Sequence, residues 1–311
     1  MDHRFRDVPM AYSEMMHVMR MNGELEDSRN GAVLTLQEPL LLTIINPKMR
    51  VLIDPVRNCN PFFHILEFVW MMAGERDVEW VAQFNKKMWE FAEDDGYIHG
   101  AYGYRWRRHF LGDQIQAACQ LLKDDPTSRR AVIGMWAPEN DMYGGKRDLP
   151  CNTHIYLRII DDCLDFTVCN RSNDVIWGMM GANIVHMTFL QELIANELGI
   201  PMGEYHVFTN NAHVYLDLPN VEAMLETRDP VYPNMNKQIH VPLLQGGETL
   251  RDFGNSCYQF VQGQFMTASI HWLDNVARPA QNLWENREGE NTIIDSNWNQ
   301  ACRKWLQRKA Q

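Results

Sequence analysis

Cys151 follows Pro150, and Arg171, Ser172 and Asp174 stand a short way downstream. Between them, residues 153–159 place Thr, Ile, Leu and Ile at every second position, and Leu164, Phe166 and Val168 resume the alternation after Asp161 and Asp162. That period belongs to strands with one buried face, and the paired acids between the runs predict a β-hairpin. Cys151 then begins the first strand, and the Arg-Ser-x-Asp cluster ends the second. Antiparallel pairing returns a guanidinium and a carboxylate to the thiol. A cation beside a thiol lowers its pKa, and the thiolate is the reactive form. Cys151 is therefore a candidate nucleophile; the alternative is a small apolar packing residue, one of seven cysteines in a reduced protein.

Other residues of chemical interest lie on elements that would have to position them. Residues 60–74, NPFFHILEFVWMMAG, are apolar almost all round as a helix ending at Gly74, so this helix must be buried. Glu67 sits in its middle. A carboxylate there is costly unless paired or neutralised, and burial raises its pKa towards the range useful for proton transfer. A buried arginine partner is the competing reading. Residues 84–109 mix aromatics and acids around a glycine-rich turn at Tyr102. An amphipathic helix over 111–123 precedes Arg129 and Arg130, which lead into a strand over 131–136 and read as exposed charge. Arg29 occupies a turn before the apolar runs 32–36 and 40–45. Asn183 opens a helix with an apolar stripe of Ile184, Met187, Leu190, Ile194 and Leu198, where it is a good cap. His213 and Tyr215 share one face of a strand, and residues 8–21 form a methionine-rich helix suited to core or dimer surface.

The 311 residues, 45% of them hydrophobic, are enough to bury a full core, and one large domain is expected. A net charge of -11 argues against direct nucleic-acid or anionic-membrane binding. The first ten residues have neither signal-peptide nor transit-peptide character, and no apolar run approaches the roughly 18 residues of a membrane span. A soluble, cytoplasmic protein is expected. Seven cysteines without a CxxC pair suggest a reducing compartment and no structural zinc or other metal.

Taken together, Pro150-Cys151, Arg171-Ser172-Asn173-Asp174, Gly178, Asn183 and His213-Val214-Tyr215 resemble the thymidylate synthase family. The NRSNDVIWG run resembles the branch of deoxypyrimidine nucleotide hydroxymethylases of bacteriophages, which would place the protein in the cytoplasm of a bacterial host. The resemblance implies an α/β (α+β) fold with a large mixed β-sheet, flanking helices and a two-fold dimer packed through the sheets. It implies one catalytic domain over 1–311, with its core at about 25–220 and a divergent helical extension at about 250–311. It also assigns roles. Cys151 would be the nucleophile; Glu67, Tyr102, Asp174 and Asn183 would support it, with Asn183 reading the pyrimidine edge. Arg29, Arg171 and Ser172, together with Arg129 and Arg130 from a partner subunit, would serve the nucleotide and its phosphate; His213 and Tyr215 would hold the sugar 3'-hydroxyl. Met88, Trp89, Asp174 and Gly178 would face 5,10-methylenetetrahydrofolate, the implied co-substrate, with Met88 and Phe91 where synthases carry two tryptophans.

The resemblance implies that a methylene left on carbon 5 becomes methyl by hydride or hydroxymethyl by water. Residues 284–311 lack the Pro-His-Pro and aliphatic ending of synthases, so hydroxymethylation of a deoxypyrimidine monophosphate is expected. The Asn183 amide matches the uracil imide and favours dUMP. The alternatives are a dCMP hydroxymethylase, a thymidylate synthase or dCMP methylase, and a nucleotide-binding protein without catalysis.

Overall fold

A computed structural model describes residues 2–28, 30–232, 239–287 and 295–309. Arg29, a candidate phosphate ligand, lies outside them. Ten strands form two sheets: β1 (Asp2–Phe5), β2 (Glu24–Ser28), β3 (Gly31–Thr35), β4 (Leu40–Ile44), β5 (Val132–Gly134), β6 (Asn152–Ile160), β7 (Cys163–Asn170), β8 (Asn173–Asp174), β9 (Met202–Thr209) and β10 (Ala212–Tyr215). The six-stranded sheet runs β1-β4-β9-β7-β6-β5 and the smaller one β2-β3-β10-β8. Both mix parallel and antiparallel pairs. The helices long enough to build layers are α1 (Val8–Asn22), α2 (Pro61–Met72), α3 (Gln114–Asp124), α4 (Asn183–Leu198), α5 (Leu250–Val261), α6 (Arg278–Asn286) and α7 (Asn297–Lys309).

The predicted hairpin is β6-β7. Asp161 and Asp162 both take positive φ, 48° and 58°, as a two-residue turn between right-twisted strands requires. Ile155, Leu157, Leu164, Phe166 and Val168 are buried on one face. Their partners on the other face, including His154, Tyr156 and Phe208, are exposed. The cross-strand register aligns His154 with Cys169 and Phe208, so these side chains share a single outer surface.

α2 and α4 fill the space behind the inner face. Asn60 caps α2 by accepting from Phe63 N at 3.2 Å, and Gly74 beyond its end takes φ 69°. α5, α6 and α7 pack on α2, so the expected helical extension covers the buried glutamate's helix rather than standing apart from it. α4 is buried around nearly its whole circumference from Ile184 to Ala195, not along one stripe, because the sheet and α2 enclose it.

Two further boundaries differ from expectation. α3 begins at Gln114 because the Asp113 side chain caps Ile115 and Gln116, leaving Leu111 fully exposed. The strand expected over 131–136 shortens to β5, where pairing with β6 ends. Met21 lies on the exposed side of α1, whereas Met15, Met16 and Met19 are buried.

The segment bearing Tyr102 is held by a buried ion network. Arg105 forks onto Asp141 with two 2.7 Å bonds, and His99 Nε2 lies 2.8 Å from the same carboxylate. Both charged side chains are fully buried. Removing one partner strands the other, so Asp141→Ala is expected to cost about 3–5 kcal/mol of stability in a urea titration. A loss below about 1 kcal/mol would mean that water replaces the carboxylate. Gly103, next to Tyr102, is required because a Cβ would stand 1.9 Å from Met71 O of α2.

Candidate active site

The hairpin places Cys151 and Arg171 side by side. Arg171 N donates to Cys151 O at 2.9 Å, and its guanidinium is fixed by Pro150 O and Leu149 O, both at 3.1 Å. From there Nη2 reaches Cys151 Sγ at 3.9 Å, where positive charge can stabilise a thiolate. The Trp136 ring backs the guanidinium at 5.6 Å. Tyr102 approaches from the other side, its hydroxyl accepting from Asn152 N at 3.4 Å. Burial, then the charges of Cys151 and Asp148, raise the Tyr102 pKa well above the usual phenol range, so the hydroxyl keeps its proton.

Glu67 has no arginine partner among the described residues. Its side chain is 14% exposed, and Oε2 makes no hydrogen bond. His186 Nε2 is 3.6 Å away but donates to His64 O at 3.1 Å, and burial holds His186 neutral by lowering its pKa to about 3. Burial, with the charge of Asp148 added, pushes the Glu67 carboxyl up to about 8. Glu67 is thus a carboxylic acid at neutral pH. Asp148 was not singled out from the sequence, although an acid three residues before a candidate nucleophile is itself a signal. Its Oδ2 accepts from Gly100 N at 3.1 Å, and burial pushes its pKa up to about 6.

The far side of the site rests on the smaller sheet. Asp174 Oδ1 caps the following π-helical turn, accepting from Ile176 N at 2.7 Å and Trp177 N at 2.9 Å. His213 pairs with Asp174 across β10-β8, and its ring meets Tyr215 edge-on at 5.0 Å. Ser172 Oγ and His213 Nδ1 both contact Asn211 Oδ1, at 3.4 and 3.0 Å, a shared anchor that sequence reading did not reveal.

Asn183 does not cap its helix. It already has helical φ -61°, ψ -45°, and the helix is entered through a break at Met180 and Gly181. Its Nδ2 instead donates to Asn173 Oδ1 at 3.2 Å. Gly178 keeps this contact open, since a Cβ would lie 2.2 Å from Asn173 Oδ1 and 2.9 Å from Asn183 Nδ2.

A cavity of about 100 Å³ adjoins this turn, lined by Arg57, Asn58, Asn60, Phe63, His64, Asn85, Trp177 and Ala182. Arg57 and Lys87 both present cations to the Trp177 ring, at 5.4 and 5.2 Å. Of the predicted cofactor residues, Met88 is buried and Trp89 is half exposed. Arg129 and Arg130 are not part of this cluster. The register of β5 against β6 puts them beside the Tyr156–Arg158 end, away from Cys151, with both side chains exposed.

The family model described as thymidylate synthase matches residues 10–300. The chain belongs to the thymidylate synthase family. Within this family it is 41% identical over 221 residues to the deoxyuridylate hydroxymethyltransferase of Pseudomonas phage M6, covering 71% of this chain and 63% of that protein. It is 32% identical over 217 residues to the deoxyuridylate hydroxymethyltransferase of Bacillus phage SP01, covering 66% of this chain and 56% of that one. A family member named thymidylate synthase, from Corynebacterium aurimucosum, is 30% identical over 186 residues, covering 56% of this chain and 67% of its own. The match thus spans less than two thirds of the length of either hydroxymethyltransferase.

Proposed function

We propose that the protein transfers a one-carbon unit to carbon 5 of dUMP and releases 5-hydroxymethyl-dUMP. The observations that carry this reading are Cys151 Sγ beside the anchored Arg171 and a buried carboxylic acid, Glu67, kept protonated by burial and by the nearby charge of Asp148. Carbon 5 of a pyrimidine is too weak a nucleophile at neutral pH. Addition of the Cys151 thiolate to carbon 6 gives carbon 5 enolate character, and neutral Glu67 with the Asn183 amide would stabilise charge at position 4. Tyr102, held protonated, would donate a hydrogen bond to the water that takes the proton leaving carbon 5. Arg171 would serve thiolate and phosphate, while His213 and Tyr215 would meet the sugar.

The residues fit 5,10-methylenetetrahydrofolate as co-substrate. The cavity beside Gly178 combines the Phe63 and Trp177 rings with Arg57, and Lys87 stands over Trp177, suiting an aromatic ring that carries carboxylates. Arg57 is the residue placed to hold those carboxylates, with Met88, Trp89 and Asp174 nearby. When bound, the folate supplies the one-carbon unit. Water in place of hydride at the last step follows the names of the relatives at 41% and 32% identity.

A homodimer belongs to the same proposal, as does a single catalytic unit across the chain. Exposed His154, Tyr156 and Phe208 give the outer sheet face an aromatic surface suited to a second copy, and Arg129 and Arg130 beside it would reach the partner's phosphate site. No helix among the described residues is long and apolar enough to cross a membrane.

Incubation with methylenetetrahydrofolate and equimolar dUMP, dCMP and CMP, followed by mass analysis, tests the reaction. A 5-hydroxymethyl product from dUMP alone is expected. A methyl product with dihydrofolate would make this a synthase, and hydroxymethyl-dCMP would replace the base.

A further inference from the structure

The Asn183 amide does not by itself choose between uracil and cytosine. Uracil offers a donor at N3 and an acceptor at O4; cytosine offers an acceptor at N3 and a donor at N4. An amide turned by 180° reads one as well as the other in nearly the same volume. Discrimination therefore needs a second group that sets which end of the amide faces which way. The structure contains one. Asn183 Nδ2 donates to Asn173 Oδ1 at 3.2 Å, leaving its oxygen and second N–H for a ring edge.

Asn173 is built to hold that position. It is 2% exposed, its backbone N–H is bonded to Asn211 O at 2.9 Å, and β8 ties it to β10 at Ala212. Gly178 is shaped around the pair, since any Cβ there would collide with both amides. The Asn183 backbone is fixed as well: Arg57 binds Ile176 O at 2.8 and 3.2 Å, and a Cβ at Gly181 would meet both Ile176 O and Arg57 Nη2. With Asn173 keeping its orientation, turning Asn183 over would press its oxygen against the Asn173 oxygen in a buried setting. That trades a hydrogen bond for two facing acceptors.

We propose that Asn173 is the positioning residue for base choice: its Oδ1 orients the Asn183 amide so that the pair accepts uracil and rejects cytosine. This rests on the dUMP reading above. Asn173 does not touch the base and acts only through Asn183.

The test compares kcat and KM for dUMP and dCMP in wild type, Asn173→Asp and Asn173→Val, with folding of each checked by thermal melting. A carboxylate can only accept, so Asn173→Asp is expected to keep the dUMP to dCMP ratio of kcat/KM within about threefold, as one acceptor replaces another. Asn173→Val removes the acceptor and frees the amide. Its ratio is expected to fall by at least about tenfold, the size of one mis-set hydrogen bond, mostly through KM. Should the valine variant fail to fold, Asn173→Ser, too short to reach Asn183, carries the same expectation. A folded Asn173→Val or Asn173→Ser with an unchanged ratio overturns the proposal, as does an Asn173→Asp ratio moved by tenfold. Wild type that prefers dCMP sinks the uracil reading itself, and this shows before any variant is made.

Discussion

Cys151→Ser is expected to abolish the covalent nucleotide adduct and to lower turnover by roughly four to six orders of magnitude, the usual cost of removing a nucleophile from a covalent mechanism. The guanidinium 3.9 Å from Sγ can stabilise a thiolate, but a hydroxyl is a far weaker acid, which a cation at that distance does not ionise at neutral pH. The fold should survive, since Cys151 sits at the mouth of the hairpin with its side chain half buried. Two readouts separate chemistry from binding. Mass spectrometry after incubation with 5-fluoro-dUMP and methylenetetrahydrofolate should find the adduct in wild type only, whereas dUMP should still bind to the serine variant through its sugar and phosphate contacts. A serine variant retaining a tenth of wild-type turnover would remove Cys151 from the mechanism. The non-catalytic binding reading would return only if wild type itself gave neither adduct nor product.

Much of this site was legible because period-2 alternation fixes register. Once residues 153–168 are read as a hairpin, Cys151 and Arg171 must meet, and they do. The apolar α2 likewise announced a buried Glu67. What periodicity does not carry is the orientation of loop side chains. Asp148 precedes its strand, so nothing in the pattern tied it to Gly100 N or to Glu67. Asn183 reads as a cap by residue type, yet the break at Met180 and Gly181 starts the helical path earlier and frees its amide for Asn173. Asn211, shared by Ser172 and His213, was invisible for the same reason. The apolar stripe on helix α4 implies a solvent face for the residues off it, Gln191 and Glu192 among them. Both are buried: Gln191 donates to Leu164 O at 2.9 Å, and Glu192 pairs with buried Arg50. Satisfied polar groups imitate a surface in sequence.

Glu67→Gln is expected to cost turnover roughly 10²- to 10⁴-fold, the range for losing a positioned proton-transfer group, while making the protein more stable at alkaline pH. The two effects share one cause. Burial, with the charge of Asp148 second, raises the Glu67 pKa from the ordinary 4.5 to about 8. A carboxyl that binds its proton more tightly when folded stabilises the fold most below pH 4.5, and that contribution is lost as pH rises through 8. The loss approaches roughly 1.4 kcal/mol for each pH unit inside that window. Glutamine keeps the shape and carries no charge to bury, so its urea midpoint should vary less between pH 5 and 8 than that of wild type. Activity that uses the neutral acid should fall above about pH 8 in wild type. Asp148→Asn tests the origin of that limb: without the neighbouring charge the Glu67 pKa drops, and the alkaline limb should move to lower pH. A limb that stays in place in Asp148→Asn would mean that burial alone sets it, and a glutamine variant with wild-type pH dependence of stability would assign the titration to another group.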